Sequence, residues 1–234
     1  MPINPDRLPD GVVPKINARA KRLSLRADSR NGHIRLVIPP HCPDRKALAF
    51  THQHQDWIEK TLQSMPRPER LINGAIIPLL GQDRQVIIQR HNKAQTHIEV
   101  TQAQIRVMTR RNDPSQNILR HLKTMAHGVI QPILHQKCET LTLPIPQLTL
   151  RDTKSRWGSC DARNGKIMLC WRLIFAPLPV IDYVVAHEAA HLRHMDHSPR
   201  FWALCQELCN GDMQKNRQWL ADHGARLLRI GIRT

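Results

Sequence analysis

Alternation of hydrophobic and polar residues in the first part of the chain predicts strands. Segments 22–26 and 34–38 both alternate, and Asn31-Gly32 lies between them, where a tight turn needs a positive φ. We therefore expect a β-hairpin. Further along, the apolar residues of 44–63 recur at helical spacing, so one helix is predicted there, with Asp44 as its cap.

Short apolar runs follow, separated by polar residues and by a Gly81-Gln82-Asp83 turn. Runs of this length between such separators are typical of strands. The first half of the chain is therefore expected to be β-rich. The four runs occupy residues 76–80, 86–88, 97–100 and 105–108.

A long helix is predicted to begin near residue 113. Asp113-Pro114-Ser115-Gln116 combines a capping side chain with proline at the first helical position, and an apolar stripe follows from Ile118 to Ile130. Pro132 should break or kink this helix, unless a second helical piece begins there. We place the domain boundary here, between residues 1–111 and 112–234.

The second domain combines extended and helical segments. Residues 141–151 end in an extended segment, and 166–171 is expected to be its partner strand across a glycine-containing turn. Pro177-Leu178-Pro179 precedes an apolar run with helical character. The predicted fold class is α+β, in which a β-rich module precedes a helical domain with a small antiparallel sheet.

The composition is that of a folded protein, since 41% of the 234 residues are hydrophobic. No stretch approaches the roughly 18 apolar residues of a membrane span, and residues 1–6 lack the apolar segment of a signal peptide. We therefore expect a cytoplasmic protein with no membrane partner. The six cysteines form no C-x-x-C pair and are expected to be reduced and mostly buried.

The formal net charge of +16 changes the expected partners. Such an excess attracts polyanions, so weak contact with nucleic acid or nucleotides is expected. Aromatic residues make up only 4% of the chain and do not alternate with basic residues, as they do in proteins that stack unpaired bases. The charge therefore indicates a class of partner and no particular reaction.

The candidate chemistry lies in His187-Glu188-Ala189-Ala190-His191, within the helix predicted after Pro179. Residues four apart point from the same helix face, so both imidazoles can reach one zinc ion. Glu188 then lies beside the metal, where it can take a proton from bound water. It is the predicted catalytic base.

A catalytic zinc needs three protein ligands and one open position. His194 is a poor third ligand if the helix continues, because it lies ~10 Å along the axis from His187. His197 precedes Ser198-Pro199, which predicts the start of a new helix, so a turn can bring it back to the metal. We assign His197 as the third ligand, with Glu207 on the next helix as the alternative.

Neighbouring residues suggest supporting roles. Arg156-Trp157-Gly158-Ser159 is turn-like and could orient a bound chain or stabilise a developing oxyanion; it could equally be a structural turn in which Trp157 packs on the helix. Asp182 or Asp196 could orient an imidazole. Tyr183, one turn before His187, is expected to be a core residue or a partner of a ligand.

These segments together resemble the YgjP-like metallopeptidase family. The resemblance rests on Ser155-Arg156-Trp157-Gly158-Ser159-Cys160, Trp171-Arg172-Leu173-Ile174, the helix with both histidines, and His197-Ser198-Pro199-Arg200-Phe201-Trp202. It implies a zincin-like second domain and a zinc site at His187, His191 and His197. The carboxy-terminal half is also similar in motif to SprT-like proteases, which act on proteins attached to DNA. Ala189 and Cys170 depart from the usual family residues, a larger aliphatic residue and asparagine.

The favoured function is hydrolysis of protein or peptide substrates. Zinc lowers the pKa of its water and polarises the scissile carbonyl, and Glu188 accepts the proton. One alternative is a metal-dependent hydrolase of nucleotide phosphoanhydrides, although no glycine-rich phosphate loop is present. Another is a nucleic-acid-associated protein with a structural zinc, which conflicts with the glutamate after His187 and with the lack of a cysteine-rich ligand set.

Overall fold

The computed structural model describes residues 4–28 and 31–232. Over these residues the fold mixes six α-helices with three small sheets. The chain divides into two compact units, Met1–Pro68 and Glu69–Thr234. Among the described helices, none has the length and apolar character that crossing a membrane requires.

The first unit contains a three-stranded sheet in the order β1-β3-β2. Strands β2 and β3 pair antiparallel, which confirms the predicted hairpin, and Gly32 in their connection has a φ of 71°. Residues 29–30 of that connection lie outside the described residues. The first strand pairs parallel with β3, a long-range pairing that alternation alone does not reveal. The strands are β1 (Val12–Ile16), β2 (Ser24–Asp28) and β3 (His33–Ile38).

The single helix predicted over residues 44–63 is two helices, α1 (Asp44–Gln53) and α2 (Gln55–Ser64). The break has a local cause at His54. In a continuous helix the Phe50 carbonyl would accept the His54 amide N–H. Here the His54 ring nitrogen Nδ1 lies 2.8 Å from that carbonyl, and the amide bonds to Thr51 instead.

The second unit opens with a four-stranded sheet in the order β4-β5-β7-β6. All four strands lie at the predicted apolar runs. Between them, β5 and β7 pair parallel, and the two outer pairs are antiparallel. The strands are β4 (Ile76–Leu79), β5 (Gln82–Arg90), β6 (His97–Val100) and β7 (Gln104–Thr109).

Helix α3 (Ser115–Leu141) continues through Pro132, so the proline does not break the helix. Its start is one residue later than predicted, because Pro114 precedes the first helical residue, Ser115, whose amide donates a hydrogen bond of 2.9 Å to the Asp113 side chain. The proline ring removes only one helical hydrogen bond, and Ile130 and Leu134 on either side of it are fully buried. Packing of this stripe holds the helix together across the proline.

The boundary predicted between residues 111 and 112 falls inside the second unit. The reason is a shared core, because the buried side chains of β4, β5 and β7 belong to the same cluster as those of α3. A sheet and a helix that bury one another's apolar faces form one cooperative body. The sheet contributes Ile77, Leu79, Val86, Ile105 and Val107, and the helix contributes Ile118, Leu122, Ala126, Ile130 and Leu134.

A third sheet has the order β8-β10-β9, with β8 at Gln147–Arg151, β9 at Gly158–Asp161 and β10 at Lys166–Cys170. It is mixed rather than antiparallel throughout, because β10 pairs parallel with β8 and antiparallel with β9. The sequence indicated a turn at residues 156–159, but strand β9 begins at Gly158. The glycine-containing turn, with Gly165 at φ 59°, joins β9 to β10.

Three helices complete the second unit: α4 (Leu178–Ala190), α5 (Pro199–Leu208) and α6 (Met213–Leu227). The central one, α4, is buried almost throughout and contacts α3, α5, α6 and β9. No prediction was made for α6. The sequence does contain a typical helix-capping residue at this point, Asp212. Its side chain caps α6 by accepting a 3.1 Å hydrogen bond from the Lys215 amide.

Candidate metal centre

The carboxyl end of α4 carries His187 and, at its C-cap, His191. The helix ends at Ala190, but His191 keeps a helical backbone conformation, φ −65° and ψ −16°. Both imidazoles therefore still leave the same face, and their ring centroids are 5.0 Å apart.

A short connection between α4 and α5 returns His197 to these two rings. Its Nε2 atom lies 3.3 Å from Nε2 of His187, and ligand atoms of all three histidines lie within 4.8 Å of one another. Two nitrogens bonded to one tetrahedral zinc at about 2.0–2.1 Å would be separated by about 3.3–3.4 Å. The three imidazoles could therefore hold a metal ion.

A hydrogen bond orients the His191 ring, and an aromatic side chain packs against all three rings. The Nδ1 atom of His191 lies 2.9 Å from the backbone carbonyl of His194, so Nδ1 carries the proton and donates it. This tautomer leaves the lone pair on Nε2 for a metal. Buried Phe201 packs against all three histidine rings, at centroid distances of 4.9, 4.5 and 4.8 Å from His187, His191 and His197.

The electrostatic surroundings keep the helix histidines neutral. Burial, and then the proximity of His191 and His197, lower the pKa of His187 to about 4. Burial also lowers the pKa of His191. A metal binds the neutral imidazole, so both rings are in the form that can coordinate.

Glu188 is buried beside this triad, with 5% of its surface exposed. Burial raises the pKa of its carboxyl to about 7, and the positive charge of Arg156 acts in the opposite direction. Its Oε2 atom has no hydrogen-bond partner within residues 4–28 and 31–232. Burying a carboxyl oxygen without such a partner is energetically costly.

Strand β9 approaches Glu188 through a glycine. A Cβ placed on Gly158 would lie only 2.6 Å from both Cγ and Cδ of Glu188, closer than real side chains come. Any larger residue at this position would displace the carboxylate. Gly158 and Glu188 also line a cavity of about 190 Å³, together with Trp157, Tyr183 and His187.

The family model described as YgjP-like, metallopeptidase domain, matches residues 21–223. The chain belongs to the YgjP-like metallopeptidase family. A similar solved structure is the metallopeptidase zymogen abylysin of Pyrococcus abyssi, with a TM-score of 0.36 and 19% identity, covering 40% of this chain and 93% of that one. No curated protein matches the chain.

In this YgjP-like chain, the two rival metal ligands lie outside the histidine group. Glu207 is exposed on α5 and does not belong to the group of potential ligands found among the described residues. His194 contributes its backbone carbonyl to His191 rather than its ring. That role was missed because sequence patterns show side chains and carry no information on main-chain acceptors.

The acidic residues considered as imidazole partners have other contacts. Asp182 forms a buried ion pair with Lys137 of α3, at 2.6 Å, and accepts hydrogen bonds from Asn210 after α5. Asp196 is exposed, and hydrogen bonds from Ser198 lower the pKa of its carboxyl. Asp182 therefore ties α4 to its neighbours and thereby supports the helix that carries the histidines.

Two further residues, Trp202 and Arg217, lie near the histidines, and no role was predicted for either of them. Trp202 packs 5.5 Å from His197, and the guanidinium of Arg217 lies 5.0 Å above the Trp202 ring. Arg217 also contributes to the lowered pKa of His187. Tyr183, whose ring centroid is 6.1 Å from His187, is 6% exposed, which fits the expected core position.

Proposed function

We propose that the chain is a zinc-dependent metallopeptidase in which His187, His191 and His197 hold the ion and Glu188 is the catalytic base. The observation that carries the proposal is the convergence of three imidazoles next to a buried, unpartnered carboxylate oxygen. Three neutral imidazoles form a ligand set typical of zinc and leave one position open for chemistry.

Zinc bound here supplies Lewis acidity, which makes water more acidic and polarises a peptide carbonyl. Glu188 accepts the proton of the attacking water through its unpartnered Oε2 atom and passes it to the leaving amine. Burial limits the access of bulk water to the Glu188 carboxyl, because the residue is only 5% exposed. Gly158 has no side chain and so leaves free the space that the carboxyl group of Glu188 occupies next to β9.

The substrate backbone binds along β9. This strand lies at the edge of its sheet, so one side of its backbone is not paired with β10. An extended peptide adds to such an edge by main-chain hydrogen bonds. Because Gly158 at the start of β9 touches Glu188, a peptide bound there has its carbonyl groups close to the catalytic base.

The test compares Glu188→Gln with the wild-type protein for zinc content and for hydrolysis of a casein-type substrate. The amide keeps the shape of the side chain and removes the base, so we expect one zinc per chain with a loss of kcat of about 10²–10⁴-fold. Glu139→Gln, at an exposed position on α3, is the matched control and should retain activity.

Two results would count against the proposal. Full peptidase activity in Glu188→Gln would require a different base. Hydrolysis of nucleoside triphosphates without any peptide hydrolysis by the wild-type protein would support the phosphoanhydride alternative, so both substrates belong in the same assay.

A further inference from the structure

A second cavity lies within the first unit and is lined only by residues between 21 and 57. These residues are far in sequence from His187, His191 and His197. Its volume of about 830 Å³ is in the range of sites that bind small ligands or several side chains. Its walls come from the start of β2, the β3–α1 connection, α1 and α2. The apolar part of the wall includes Leu23, Leu25, Pro39, Pro40, Phe50 and Trp57.

The rim of this groove is positively charged. Lys21, Arg22 and Lys46 line it, and no aspartate or glutamate does so. Over the described ranges, none of these three cations takes part in an ion pair. An occupant with carboxylates would therefore gain charge complementarity without breaking an existing pair.

Several residues restrict the shape of the groove. Proline at positions 39, 40 and 43 fixes the backbone φ angle of the β3–α1 connection. On the opposite wall, the His54 ring packs 4.4 Å from Phe50 and is tied to the Phe50 carbonyl by Nδ1. A rigid wall lowers the entropic cost of binding.

Two features favour a polypeptide over a nucleic acid. Prolines and leucines outnumber aromatic rings in the wall, so the groove offers apolar pockets rather than a platform for stacked bases. In addition, Ser24 and Leu25 belong to β2, one of the two edge strands of its sheet, which offers main-chain groups to an extended chain. Trp57, 43% exposed, is placed as an apolar anchor at the opening.

We propose that this groove docks a peptide segment of another protein in which acidic side chains alternate with apolar ones. The apolar side chains enter between Leu25, Phe50 and Trp57, and the carboxylates reach the lysine and arginine side chains of the rim. The site extends the proposed peptidase function with a docking surface whose residues are distinct from the metal ligands. Its binding is independent of the metal and of Glu188.

The experiment measures fluorescence anisotropy of a labelled peptide in which glutamate alternates with leucine, titrated with the full-length protein. We expect binding that weakens roughly tenfold in Lys46→Glu and in Trp57→Ala. Arg45→Glu is the matched control, since it makes the same charge change one residue away on α1 but does not line the groove. The same peptide with lysine in place of glutamate should not bind.

Glu188→Gln should bind the acidic peptide as tightly as wild type, which separates docking from catalysis. Equal weakening by Arg45→Glu and Lys46→Glu would show diffuse charge attraction and overturn the proposal, as would binding unaffected by both Lys46→Glu and Trp57→Ala. A further titration replaces the peptide with a labelled single-stranded oligonucleotide. If it binds in a Trp57-dependent manner and the acidic peptide does not bind, the groove is a nucleic-acid site and the proposal is wrong.

Discussion

At the scale of single residues, the geometry of the candidate metal centre depends on a glycine as well as on the histidines and Glu188. The carboxyl of Glu188 occupies the space that a Cβ at Gly158 would need. The HExxH pattern identifies the histidines and the glutamate because their spacing on a helix determines a shared face. No local pattern identifies Gly158, since its role comes from a strand that approaches the helix from elsewhere in the chain.

We predict that Gly158→Ala retains zinc but lowers kcat by about a hundredfold, because displacing a catalytic group by about 1 Å has effects of that size. The added methyl group should also destabilise the fold by about 1–3 kcal/mol. Zinc content, steady-state kinetics and thermal unfolding measure the three effects. Gly128→Ala on α3 makes the same chemical change in open space and should leave kcat unaltered; comparable kcat values in both variants would exclude a steric role for Gly158.

At the scale of elements, sequence periodicity predicted most helices and strands, and local side-chain bonding explains where two of the helices end. One predicted helix is divided at His54 because its ring takes the carbonyl that the helix would use. Another ends at Ala190, where the His194 carbonyl binds the His191 ring. The strand β9 was missed because its identity depends on pairing with β10, which short segments of sequence do not show.

The junction between α4 and α5 gives the second prediction, which concerns the third ligand. Ser198 caps α5 by accepting a hydrogen bond from Phe201, and this start places His197 beside His187. We expect His197→Ala to weaken zinc binding by more than about a hundredfold, the upper range for a residue that only hydrogen-bonds a ligand. Competition with a chelator measures the affinity.

Glu207→Ala on the same helix is the discriminating control and should keep the zinc affinity of the wild-type protein, because Glu207 is exposed and outside the histidine group. Circular dichroism of both variants checks that α5 still forms. Loss of zinc in a folded Glu207→Ala protein, with normal zinc affinity in His197→Ala, would show that Glu207 and not His197 is the third ligand.

At the scale of the whole molecule, the net charge of +16 predicts weak association with DNA or RNA. Such binding releases counterions from the phosphate backbone, so the affinity should fall steeply as salt rises and show little sequence preference. Filter binding or anisotropy with two unrelated duplexes across a salt series provides the measurement. Affinity that does not change with salt, or no binding at low salt, would contradict this expectation.

The last prediction concerns the residue at which the second folded unit begins. A fragment of residues 69–234 keeps the four-stranded sheet, α3 and all three histidines, so we expect it to fold cooperatively and to bind one zinc. A fragment of residues 112–234 loses that sheet and exposes the fully buried Ile118, Leu122 and Ala126 of α3 to water. Each exposed large apolar side chain costs about 1.5–3 kcal/mol, and a domain's total stability is only about 5–15 kcal/mol. The shorter fragment should therefore show no cooperative thermal transition. If it instead unfolds cooperatively and binds zinc as tightly as the longer one, the boundary lies at residue 111 and the sheet belongs to the amino-terminal module.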